Sequence, residues 1–190
     1  MTAAVRSFVA VLLDPDTRAA LGTAIERLRR AGRGVAWVVP DNLHVTLKFL
    51  GQVDEARLGE VASALAAAAA GVAAFDFVVQ GLGAFPSVDR PRVVWAGAGE
   101  GAGALVTLAS RVEEALGPLG FAAEARPFSP HVTLGRLRAP RRDPALAAAL
   151  GASPGQVFGR IRAARVSLMR SDLSPRGARY SELAAAALGV

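Results

Sequence analysis

The chain has no cysteine, a single lysine and only two histidines in 190 residues. Without cysteine there are no disulfides, no thiol nucleophile and no thiolate to hold zinc, and a reducing compartment is compatible with the composition. Long apolar runs are also missing. The longest, Val61 to Phe75, is mostly alanine and falls short of the roughly 20 residues a bilayer-spanning helix needs. The N-terminal run Phe8 to Leu13 stops at Asp14-Pro15-Asp16, too short for a signal-peptide core. The expectation is a soluble, cytoplasmic, monomeric protein with no membrane partner. No serine sits in a G-x-S-x-G context. Gly97-x-Gly99-x-Gly101-x-Gly103 lacks the lysine and the spacing of a phosphate loop and reads as a flexible connection.

What remains is a globular composition, 52% apolar and 20% charged, in a chain long enough for one domain or two tightly joined lobes. The net charge of +6 is unevenly placed. Up to Glu124 there are 11 basic and 13 acidic residues, whereas from Ala125 onward 11 arginines face only Asp143, Asp172 and Glu182. An arginine-rich half suits a phosphate-bearing partner such as RNA. With 21 arginines to one lysine and alanine throughout, a compositional bias explains the same charge, so charge alone leaves nucleic acid open.

The two histidines carry the strongest signal. His44-Val45-Thr46-Leu47 returns as His131-Val132-Thr133-Leu134, a coincidence expected about once in a thousand chains of such composition. Both tetrapeptides read as strands, in which residues two apart share a face. Each strand therefore presents an imidazole beside a hydroxyl, with the valine and leucine on the other side. A lone histidine in an apolar strand is ordinarily a satisfied core residue. Two on matching strands can face one another across a cleft and serve as general base and general acid near neutral pH.

Around them the pattern predicts a buried strand from Val5 to Leu13, then a helix capped by Asp14 or Asp16 and running to about Arg30. Val35 to Val39 should be a strand that turns at Pro40-Asp41-Asn42 into the first histidine strand as a hairpin, with Gly51 closing that strand. A helix follows from Asp54 to about Ala70, then a strand over Phe75 to Leu82, a loop from Gly83 to Pro91 and a strand over Arg92 to Ala96 carrying Trp95. A helix runs to about Leu116. After the second histidine strand come a basic loop, Leu137 to Pro144, and a short helix near Ala145 to Leu150. Gln156 to Arg170 reads as one long strand or two, and Tyr180 to Leu188 as a terminal helix or tail. Each half of the chain holds one histidine strand, 87 residues apart.

Metal catalysis finds little support, since a catalytic zinc usually has three protein ligands and neither histidine has a second histidine or a carboxylate within its own tetrapeptide. Two imidazoles alone can open a strained cyclic phosphodiester, one activating water and the other protonating the departing ribose oxygen. Thr46 and Thr133 would donate to the non-bridging oxygens as charge builds on them.

The strings Asn42-Leu43-His44-Val45-Thr46-Leu47-Lys48-Phe49-Leu50-Gly51 and Arg126-Pro127-Phe128-Ser129-Pro130-His131-Val132-Thr133-Leu134-Gly135-Arg136 resemble the paired H-x-T-x signatures of the two-histidine (2H) phosphoesterases. The resemblance is to their RNA 2′,3′-cyclic phosphodiesterases, also called 2′-5′ RNA ligases. It extends to Phe8-Val9-Ala10, to Gly81-Leu82-Gly83-Ala84-Phe85-Pro86 with Arg90-Pro91-Arg92-Val93-Val94-Trp95, and to Ser171-x-Leu173-x-Pro175-x-Gly177-x-x-Tyr180-x-x-Leu183. It implies an α+β fold over residues 1–190, with two pseudo-symmetric lobes, each an antiparallel sheet with helices outside, around a central cleft. It also implies hydrolysis of an RNA 2′,3′-cyclic phosphate end to a 2′-phosphate without metal or cofactor, with reversible 2′-5′ ligation as a further capacity. In the family's usual assignment His44 is the acid and His131 the base, although identical tetrapeptides leave that order open.

Lys48 has the strand parity of His44 and Thr46, so it reads either as a phosphate contact or as an exposed strand-end charge. Arg136 has the wrong parity for contact unless the strand ends or bulges at Gly135. Phe128 and Trp95 read either as base-stacking rings or as core. Two further readings stay open: a phosphodiesterase for small cyclic phosphates or 2′-5′ oligonucleotides, and an RNA- or nucleotide-binding module whose histidines only grip phosphate.

Overall fold

Alternating β-branched runs and helix-forming stretches punctuated by capping residues build an α+β protein. The structure is a computed structural model that describes residues 3–189; positions 1, 2 and 190 of the expected span lie outside the described residues. The strands are β1 (Ala4–Leu12), β2 (Val35–Trp37), β3 (His44–Asp54), β4 (Phe75–Pro86), β5 (Pro91–Ala98), β6 (His131–Leu137), β7 (Val157–Ala163), β8 (Arg165–Ser174) and β9 (Gly177–Ala187). The helices are α1 (Pro15–Ala31), α2 (Leu58–Ala69), α3 (Ala102–Leu116) and α4 (Pro144–Gly151).

Local chemistry explains the starts of α1 and α4. The Asp14 carboxylate accepts from the Thr17 N–H at 2.8 Å with Pro15 in the first turn, satisfying an otherwise orphan donor. Leu21, Ile25 and Leu28 then fall on one buried face of α1. Asp143 caps α4 by accepting from the Leu146 N–H at 3.1 Å. None of the described helices is long and apolar enough to cross a membrane.

The described strands form one curled antiparallel sheet in the order β7-β4-β5-β6-β3-β1-β8-β9, with β2 paired to β6 off that path. Two four-strand halves meet at the β6–β3 seam, where the recorded pairing is the single bridge Val45–Val132. Helices α1 and α4 lie outside one half and α2 outside the other, while α3 packs on β3 and β4 from both, and the main core fills the space between helices and sheet. The uncovered face is concave and carries a small separate cluster of Phe8, Ala10 and Met169 with Leu12 and Tyr180 against it.

Several expectations are corrected. The strand before Pro40 does not form a hairpin with β3: β2 pairs with β6, Val35 opposite Leu137 and Trp37 opposite Gly135. Because β2 and β3 are both antiparallel to β6, they run in the same direction one after the other along its edge. Gly51 does not end β3, which continues to Asp54 with Gly51 at φ 71°. Residues 83–86 are not loop but the end of β4, paired with β5. Of the two readings open for Gln156 to Arg170, two strands is the one found, on different halves of the sheet, β7 beside β4 and β8 beside β1. The terminal alanines 184–187 form strand, not helix, because β8 supplies a full ladder of partners and tertiary pairing overrides helix propensity. The glycine turn before α3 is built rather than loose: Gly101 takes φ 82° and a Cβ there would collide with the Asp76 carbonyl.

The two halves of the sheet draw on both ends of the chain. β1 from the N-terminus pairs with β8 from the C-terminal third. α1 packs on β7, and α3 packs on α2 and β3.

Candidate active site

The bridge between Val45 and Val132 acts as a local two-fold axis. Counted one residue out from this antiparallel bridge, His44 falls across the seam from Thr133 and Thr46 across from His131. Val45 and Val132 are each 1% exposed in the core, so the alternation of a strand turns both histidines and both threonines to the concave face. The duplicated tetrapeptide is thus a four-residue constellation around a seam.

Backbone carbonyls orient both rings. The His44 Nδ1–H donates to the Asn42 carbonyl at 2.7 Å, and the His131 Nδ1–H to the Ser129 carbonyl at 2.7 Å. A carbonyl only accepts, so Nδ1 carries the proton in each ring and Nε2 is left for the cleft. In His44, Nε2 accepts from the Thr46 hydroxyl at 2.8 Å. Phe8 lies against the His44 ring at a centroid distance of 4.8 Å and Tyr180 meets it edge-on at 5.4 Å. Phe85 meets the His131 ring edge-on at 5.1 Å.

Burial drives the His44 pKa from its ordinary 6.5 down to about 4; the Asn42 carbonyl pulls the other way, and Arg136, Arg18 and His131 lower it further through their charge. His131 is lowered for the same leading reason, with Ser129 opposing and Arg136 adding to the fall. Both imidazoles are therefore neutral in the free protein at pH 7.

Two cavities open beside the constellation. The larger, about 760 Å³, takes in His44, Thr46 and Thr133 together with Arg6, Arg136 and Arg176, and no carboxylate lines it. The smaller, about 440 Å³, is lined by His131, Phe85 and Trp95. Among the described residues no group of three or more His, Cys, Asp or Glu side chains is placed to hold a metal ion.

Lys48 and Arg136 face the opposite way from what strand alternation alone predicts. Val9 pairs with Lys48 and Ala10 with Thr46, which leaves Leu47 as an extra residue. Trp95 pairs with Thr133 and Val94 with Gly135, which leaves Leu134 as an extra residue. Each histidine strand thus bulges just past its threonine, and a bulge flips the parity of everything after it. Lys48 turns away from the cleft: it is 2% exposed, and its ammonium donates to Glu113 Oε1 and to the Ala122 carbonyl, both at 2.7 Å. The expected phosphate contact is replaced by a buried ion pair. With the extra residue at Leu134, one before the expected position, Arg136 lines the larger cavity.

Phe128 packs against the margin of the main core and lines neither cavity, whereas Trp95 does line one. The Trp95 indole lies flat over Gly83 and Gly97; a Cβ at Gly83 would collide with it, and one at Gly97 would sit 3.2 Å away. Sequence reasoning assigned no role to Phe8, Phe49, Tyr180 or Arg176. Phe8, Phe49 and Tyr180 do stand inside the strings that carried the resemblance, which was the available signal.

An internally duplicated sheet that brings one His-x-Thr unit from each half to a common seam defines a two-histidine phosphoesterase. The chain belongs to the LigT-like phosphoesterase family, whose model matches it twice, over residues 11–95 and 97–180. It is 37% identical to the RNA 2′,3′-cyclic phosphodiesterase of Aeropyrum pernix, over 83% of this chain and 89% of that protein. With the RNA 2′,3′-cyclic phosphodiesterase of Methanothermobacter thermautotrophicus the identity is 35%, over 94% and 96%. Among solved structures, the TT0787 protein of Thermus thermophilus matches with a TM-score of 0.79 and 32% identity, over 96% of this chain and 97% of that one. Escherichia coli LigT complexed with NADP+ matches with a TM-score of 0.74 and 27% identity, over 98% and 99%.

Proposed function

We propose that this protein hydrolyses the 2′,3′-cyclic phosphate at RNA ends to a 2′-phosphate, by metal-independent acid–base catalysis in which His44 is the acid and His131 the base. The observation that carries it is the pairing of two neutral, carbonyl-oriented imidazoles with two threonines about the Val45–Val132 bridge. The names of the curated relatives supply the substrate class.

A water placed in line attacks phosphorus while His131 Nε2 takes its proton. The bond from phosphorus to O3′ breaks, and O3′ leaves as a hydroxyl with the proton held on His44 Nε2. Thr46, released from His44 Nε2, and Thr133 donate to the non-bridging oxygens, where Arg136 adds positive charge. The order of the two histidines follows the family resemblance. Run in the same direction with the 5′ hydroxyl of another RNA in place of water, the same proton transfers form a 2′-5′ linkage, and their reverse cleaves it to the cyclic phosphate and a 5′ hydroxyl.

The test is incubation with an RNA ending in a 2′,3′-cyclic phosphate, in the presence of EDTA, with identification of the hydroxyl that keeps the phosphate. A 2′-phosphate at undiminished rate is expected. A 3′-phosphate, or turnover that stops in chelator and returns with zinc, overturns the mechanism.

The lowered pKa values set the pH dependence. The productive free enzyme has a protonated acid and a neutral base, and with both groups below 6.5 that form declines as pH rises toward neutrality. The kcat/KM profile should therefore be a bell with its optimum below pH 6.5. A bound phosphodiester anion favours imidazolium, so the kcat optimum should lie at higher pH than that of kcat/KM. A kcat/KM that climbs to a plateau in the alkaline range would contradict this.

A further inference from the structure

The two cavities flanking the seam differ in kind. The one beside His131 is lined by no charged residue: Gln80, Ser129 and His131 stand among apolar residues, and the Trp95 indole packs over Gly83 along it. The one beside His44 is cationic, with Arg6, Arg136 and Arg176 and no acid to offset them. Its rim carries two of the most exposed large apolar side chains of the molecule, Phe49 at 54% and Leu173 at 67%. Exposed rings interleaved with arginines are what single-stranded nucleic acid binds: phosphates pair with the guanidiniums while bases stack on the aromatic faces.

A nucleotide that ends in a 2′,3′-cyclic phosphate has three parts leaving its ribose. The cyclic phosphate must sit at the histidines. The base, uncharged and flat, departs from C1′, and the upstream chain departs from C5′ through its own phosphate. Burying a phosphate in a neutral apolar pocket costs its hydration with no charge in return, whereas an unpaired arginine cluster gains from it.

We infer that an RNA end crosses the cleft with one polarity: the terminal base enters the Trp95-lined cavity beside His131, and the chain upstream of it runs over the Arg6–Arg176 cavity beside His44, stacking on Phe49. This rests on the cyclic-phosphodiesterase reading above. It makes the protein selective for oligonucleotides over mononucleotides, with the preference held by residues outside the catalytic constellation. Arg6, Arg176 and Phe49 are all exposed, so replacing them leaves the fold intact.

The experiment compares kcat/KM for adenosine 2′,3′-cyclic phosphate, for the corresponding ribose cyclic phosphate lacking a base, and for a short oligoadenylate ending in the same group. The unmodified protein should prefer the oligonucleotide, and the preference should weaken as salt is raised. The Arg6→Gln/Arg176→Gln double variant and Phe49→Ala should each lower the ratio of oligonucleotide to mononucleotide by about tenfold, the scale of one lost stacking or phosphate contact. Val106→Trp, on the half-exposed wall of the Trp95 cavity, should raise KM for adenosine cyclic phosphate while sparing the substrate without a base. An oligonucleotide-to-mononucleotide ratio that the arginine and Phe49 variants leave unchanged, in a protein that hydrolyses both, overturns the polarity alone. So does the reverse pattern, in which Val106→Trp harms only the oligonucleotide. No hydrolysis of any of the three by the unmodified protein overturns the catalytic reading, and the polarity with it.

Discussion

Replacing either histidine with alanine should lower kcat/KM for a cyclic-phosphate RNA by about 10²- to 10⁴-fold, the contribution of one positioned acid or base. The two losses should not multiply in the double variant, because acid and base act in one transition state. The profiles should separate the roles. Loss of the base removes the acidic limb of the bell, where its protonation had limited the rate, and loss of the acid removes the alkaline limb. If His44 is the acid, His44→Ala should be spared on a p-nitrophenyl phosphodiester, whose leaving group needs no proton, while His131→Ala should remain as impaired as on RNA. Either variant retaining activity within tenfold of the unmodified protein would show that its imidazole is dispensable and would return the site to phosphate binding. The ring contacts of His44 with Phe8 and Tyr180 make a matched stability measurement part of this test.

The second large effect is on stability. The Lys48 ammonium is buried and held by Glu113 and the Ala122 carbonyl, tying β3 to α3 and to the chain leading into β6. Lys48→Met keeps the packed stem and removes the charge, leaving the Glu113 carboxylate without its cation. Breaking a buried pair from one side costs about 3–5 kcal/mol, and Glu113, with its side chain 23% exposed, belongs at the low end of that range. A loss of about 3 kcal/mol in a domain of this size lowers Tm by roughly 10 °C. The Lys48→Met/Glu113→Leu double variant should recover most of it, because an apolar replacement of both partners removes the desolvation cost along with the attraction. Well below Tm, Lys48→Met should keep kcat/KM within a factor of about three, well under the one decade that 1.4 kcal/mol represents. A stable Lys48→Met protein with a raised KM would mean that the ammonium reaches substrate after all.

These two predictions sit on opposite sides of the same strand. Thr46 and Lys48 are two apart and share parity, yet one faces the cleft and the other the core, because Leu47 is an extra residue in the pairing with β1. A bulge is a property of two strands in register, so nothing within residues 44–51 announces it. The same holds for Arg136, which reaches the larger cavity only because Leu134 is extra against β5. At the other end of the chain, four consecutive alanines promise helix by propensity and form strand, since the partner that decides the matter is β8.

The repeated tetrapeptide was sufficient to single out the histidines and threonines, because a hydroxyl two residues from an imidazole on a strand shares its face whatever the fold around it. The same kind of local physics determined the Asp14-capped helix. Tertiary structure alone decided that the two copies meet at the Val45–Val132 bridge, that the lobes interleave elements from both ends of the chain, and which charges enter the cleft. Those outcomes depend on strand register and on partners many residues away, and register is set by how the core faces of several strands are buried together.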